Sequence, residues 1–172
     1  MAGVYFILSH TVNRYVEKFL KKGWYFSISL SFPCFSLQQT QNISVDRVAS
    51  LRCLPLHLQD DTELFYICKE GEDQGPTIKS SAAIVSIIGD SEDMNTVPFH
   101  PQEVKVFLQE QVVLQGTKCC PDAIMHLYGL LNVIQAEYPK AMTYTFEFIK
   151  KVLLNVDGEK PKPKTLSLKN KL

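Results

Sequence analysis

The residues best equipped for chemistry are four histidines, His10, His57, His100 and His126, and five cysteines, Cys34, Cys53, Cys68, Cys119 and Cys120. A structural zinc or a redox dithiol needs such side chains at short, regular spacings. No CxxC occurs, and the adjacent pair Cys119-Cys120 is a poor chelate because neighbouring side chains diverge. Cys53 and His57 stand four apart, but Pro55 lies between them and is expected to break any helix that would align them. An odd cysteine count argues against a disulfide framework. The thiols therefore read as reduced, small, packed hydrophobes.

The acidic residues offer a second chemistry. The stretch 78–88 contains an apolar run that closes on Gly89-Asp90, and Glu92 and Asp93 follow. In α/β enzymes a strand that ends this way opens a ligand site at the carboxyl edge of the sheet. A site near Asp90 is thus the alternative enzymatic reading. A hard-cation loop, however, needs six to eight oxygen ligands in a defined frame for calcium, and this loop matches none. The pairs Asp60-Asp61 and Glu72-Asp73 fall in hydrophilic stretches, where nothing splits their pKa values for acid–base work. No phosphate-binding glycine loop, HExxH or GxSxG motif is present. The sequence assigns no catalytic residue, no metal ligand and no cofactor.

Binding surfaces remain. Tyr144 and Phe148 are i, i+4 on an expected helix and share a face distinct from its Met142–Ile149 stripe. A helix packed on both sides needs such a second face. With Tyr128 they form the candidate protein-partner surface. The other candidate is a basic tail, Lys160, Lys162, Lys164, Lys169 and Lys171, opposed only by Asp157 and Glu159. A nucleic-acid-associated factor using that tail is the further alternative. Against it, the whole chain has 18 basic and 18 acidic residues, whereas gripping a phosphate backbone calls for a basic excess. The prolines in KPKPK also dilute the cluster.

The elements that must position these residues follow from periodicity. Val12, Tyr15, Val16, Phe19 and Leu20 fall on one stripe, predicting a helix over 10–22 that stops at Gly23. Ser27, Ser29 and Ser31 alternate with bulky apolar residues, as in a half-buried strand ending at Pro33. Ser29–Gln38 has a second reading: its codons are pyrimidine-rich and end on one that can be CAG, so it resembles the translated 3′ end of an intron, a splice-derived insert. Both readings of 24–38 stand. Residues 43–58 alternate loosely, and Pro55 directs them to an edge strand or extended segment. A strand is expected over 64–69, an exposed acidic loop over 70–76, and a buried central strand within 78–88. Val104, Phe107, Leu108 and Val112 predict a helix from Pro101 to Gly116. Two more helices are expected, one from Pro121 that stops before Pro139 and one from about Pro139 to Asn155.

The chain of 172 residues suits one domain able to bury roughly 70% of its unfolded surface without a staple. The expected class is α+β: an N-terminal helix, a small mixed or antiparallel sheet, then three C-terminal helices. The expected divisions are an N-terminal helical segment (1–23), the Ser/Phe-rich segment (24–38), an α+β domain (39–156) and a flexible basic tail (157–172). The apolar run Val4–Leu8 is shorter than the roughly 7–15 residues of an export leader, and no stretch reaches the roughly 20 apolar residues that span a bilayer. The expectation is an intracellular protein, cytoplasmic or nuclear, with no membrane partner. Its function reads as a non-enzymatic protein–protein interaction or scaffold module of a larger assembly.

Overall fold

A computed structural model describes residues 43–72, 76–92, 94, 98–156 and 158–172. The helix expected over 10–22 and the segment 24–38 lie outside the described residues. The class is α+β, with a helix, a four-stranded mixed sheet and then further helices. The described chain divides into two compact units, 43–60 with 143–172, and 61–142.

The second unit holds the sheet, in the order β1 (Phe65–Lys69), β2 (Ala82–Ile88), β3 (Glu103–Leu108), β4 (Gln111–Thr117). β1 and β2 are parallel; β2–β3 and β3–β4 are antiparallel. The first two strands fall where expected. A parallel pair needs a crossover of about a dozen residues, which 70–81 supplies. β2 is the apolar run, and all its residues but Ile87 are buried, as befits a strand covered on both faces. Lys69 Nζ donates to the Asp90 carbonyl at 2.8 Å, tying the ends of β1 and β2 together.

The helix expected from Pro101 to Gly116 is instead the β3–β4 hairpin. Val104 and Val106 are fully buried while Glu103 and Lys105 are half-exposed. That is a two-residue period, which the apolar spacing at 104, 107, 108 and 112 disguised. The turn is Gln109-Glu110, with φ of 48° and 66°. Such two-residue turns are normally marked by Asn-Gly or Asp-Gly; here nothing marks it. β4 carries two register shifts against β3, one on each side of Leu114. Gly116 sits in one of them at φ 82°, and its N–H donates to Glu103 Oε1 at 2.8 Å.

Helix α2 (Cys120–Val133) packs on β2, β3 and β4. Pro121 and Asp122 suit its first turn, and Ala123, Ile124, Leu127, Tyr128 and Leu131 form the buried stripe. It stops before Pro139 as expected, with Gln135 in the left-handed region at φ 53°. A 3₁₀ turn, Lys140–Met142, ends the unit.

The first unit is helical. Residues 43–58, expected as strand or extended chain, form helix α1 (Ile43–Leu58) with Pro55 inside it. Val48, Ala49, Leu51, Cys53, Leu54 and Leu58 are all buried. They surround the helix and form no single stripe, so neither period stands out. Burial of this apolar surface at about 25 cal/mol per Å² outweighs the roughly 3 kcal/mol that an interior proline costs. The expected helix over 139–155 is present as α3 (Thr143–Phe148), continuing into a π-helical turn, Ile149–Leu153. Within the basic tail, expected to be flexible, Pro163–Lys171 forms helix α4, with Thr165 and Leu168 buried.

Candidate functional site

Of the three residues of the sequence-predicted partner surface, two are buried. Phe148 is fully buried; in the first unit it is core. Tyr128 is also buried, and its ring stacks on Tyr138 with centroids 6.2 Å apart. It belongs to the second unit, whereas Tyr144 and Phe148 belong to the first. Tyr144 alone is part-exposed, and its ring is occupied by the basic tail: the ammonium groups of Lys164 and Lys162 lie 4.6 Å and 5.5 Å from its centroid. The two candidate sites thus meet. The tail is held further by Glu147, whose buried carboxylate accepts the Lys162 N–H at 3.0 Å and the Thr165 hydroxyl at 2.9 Å. Lys151 Nζ lies 3.5 Å from Glu147 and 3.3 Å from Glu159. Lys160, Lys169 and Lys171 are exposed.

Cys68 Sγ lies 3.3 Å from the Glu72 carboxylate; the described residues gather no larger group of such side chains. Asp90 is exposed. A cleft of about 480 Å³ opens beside β1 and β3, lined by Cys68, Lys69, Glu72, Gln102 and Lys105 among others. A larger one, about 610 Å³, is lined by Leu108, Leu131, Ile134, Tyr138, Lys79 and Lys140 among others. Neither includes Asp90 or a histidine. Cys53 and His57 do lie on one helix, contrary to the effect expected of Pro55. Burial nevertheless pushes the Cys53 thiol up to about 12, and burial together with Lys171 lowers the His57 pKa. A thiol so poorly ionised is no nucleophile at neutral pH. No disulfide joins Cys53, Cys68, Cys119 or Cys120. Among the described residues no cluster of histidine, cysteine and carboxylate side chains could hold a metal ion, and no helix is long and apolar enough to cross a membrane.

What sequence reasoning missed is the outer edge of the sheet. Among the described residues β4 has β3 on one side only. Val112 and Val113 are 46% and 42% exposed, and Gln111–Thr117 contains no charged residue and no proline. Natural edge strands are usually protected by charge, proline, bulges or extreme shortness; of these β4 has only the irregularities beside Leu114. The charges come just outside the strand, at Glu110 before it and Lys118 after it, both exposed. Once the hairpin is recognised, the uncharged stretch QVVLQGT between an acid and a base is a legible signal; read as a helix, it carried none.

No family model, curated protein or solved structure matches this chain.

Proposed function

We propose that the chain is a non-enzymatic interaction module, a scaffold piece of a larger intracellular assembly, and that it makes its contact by strand addition at β4. One observation carries the reading: a seven-residue edge strand without internal charge or proline, with two valines exposed on it. An added strand supplies main-chain hydrogen bonds for affinity, and exposed side chains supply specificity. Cysteines outside any disulfide suit a reducing compartment, the cytoplasm or nucleus.

The alternatives have less behind them. Exposed Asp90 stands outside both clefts. Lys162 and Lys164 are engaged with Tyr144, so two of the five tail lysines already have a partner. The test is site-specific photo-crosslinking in cells, with the probe at Val112 and, as control, at Val133, which is 81% exposed. Protein adducts concentrated at Val112 are expected. Equal labelling at both positions, or none at either, rejects the reading.

A further inference from the structure

We propose that the occupant of the β4 edge is a second copy of this chain, paired antiparallel about a two-fold axis at Leu114; this rests on the edge-strand reading above. The register follows from β4 itself. A two-fold at Leu114 sets Gln111 against Thr117, Val112 against Gly116 and Val113 against Gln115 of the second copy. It also sets Glu110 against Lys118 at both ends, so the two charges that flank the strand become two opposite-charge pairs. Gly116 offers no side chain against Val112, where a larger residue would crowd the ladder.

The irregularities of β4 select the same axis. Its two register shifts against β3 fall between Val112 and Leu114 and between Leu114 and Thr117. The axis at Leu114 therefore lays one strand's shift against the other's, and their excess twists match. A two-fold through Val113 would instead oppose Glu110 to Gly116 and leave Lys118 beyond the ladder, facing Leu108. Surface ion pairs contribute only about 0.2–1 kcal/mol each, so the charges set register and not strength. The interface of a single strand pair is small, and the dimer is weak and concentration-dependent. Because an isologous pairing uses the same edge on both copies, it closes at two.

The test uses the full chain. Sedimentation equilibrium is run on the wild type, Glu110→Lys, Lys118→Glu and the double swap, and disulfide trapping on Leu114→Cys and Val113→Cys, with linked peptides identified by mass spectrometry. The expected results are a monomer–dimer equilibrium, association weakened about threefold to tenfold in each single swap and restored in the double swap, and a 114–114 disulfide formed in preference to 113–113. A double swap no better than its parents, or preferred linkage through position 113, overturns the register. A chain monomeric at its solubility limit overturns the second copy. If the Val112 photoprobe still labels a different protein in that case, the edge-strand reading survives the loss of this one.

Discussion

The Asp60 carboxylate accepts the backbone N–H of Thr145 at 2.6 Å, a contact within the first unit between residues 85 positions apart. It serves as a remote cap. Thr145 lies in the first turn of α3, where N–H groups have no partner within the helix. Asp60 sits two residues past α1, so one hydrogen bond ties the end of one helix to the start of another.

Replacing Asp60 should therefore separate cap from charge. Asp60→Ala is expected to lose about 1–2 kcal/mol of stability, the cost of removing an N-terminal cap, and Asp60→Asn considerably less because the amide oxygen still accepts. Burial, the main influence, raises the Asp60 pKa; the Thr145 contact and Lys164 oppose it. With the folded pKa above the unfolded one, the folded state holds the extra proton in the interval between them. The stability this group contributes is present below the unfolded pKa and lost as pH rises through the folded value. Urea denaturation across the acid range should show that fall in the wild type and not in Asp60→Asn.

Glu147 is the anchor of the tail helix. Its carboxylate is 8% exposed and the Lys151 side chain 11%, and the Thr165 hydroxyl is wholly buried. Glu147→Ala leaves that hydroxyl and the Lys162 N–H without their acceptor, while Lys151 keeps Glu159 and the Lys160 carbonyl; the cost is about 1–3 kcal/mol for each orphaned donor. The expected outcome is loss of hydrogen-exchange protection over 163–171 before any change in the β2 amides. Thr165→Val, which removes only one donor, should cost about 1–3 kcal/mol. Equal protection of 163–171 in wild type and Glu147→Ala would show that apolar burial of Leu168 alone docks the helix.

The Gln109-Glu110 turn places two non-glycine residues at positive φ. Glu110→Gly relieves one of them, and the gain expected is about 1 kcal/mol, the scale of the left-handed penalty. Thermal unfolding at a dilution that keeps the chain monomeric checks it; an unchanged midpoint would mean that Glu110 makes a compensating contact. Gln109 is less suited to the same change, since its N–H donates to the Ser81 carbonyl at 2.9 Å and its backbone is already held.

Local composition alone determined a good part of this protein. The run at 82–88 is apolar enough to be a buried strand wherever it is placed. The aromatic and β-branched stretch at 65–69 is a strand by propensity. Pro121 and Pro139 bracket α2 because proline opens a helix and bars its continuation, and the α+β class follows from these. What only the tertiary structure decided is everything whose partner lies far away in sequence. α1 is helical despite Pro55 because both sides of it are buried, and burial on all sides erases the period that sequence reading depends on. β3 and β4 pair across a turn whose residues give no turn signal, and the sheet, not the turn, holds their register. Phe148 became core and Tyr144 a seat for Lys164, since an i, i+4 face shows only that two side chains share a direction, not what lies there. The open edge of β4 is the clearest case: a strand is an edge by virtue of the neighbour it lacks, a property of the whole sheet that no local stretch encodes.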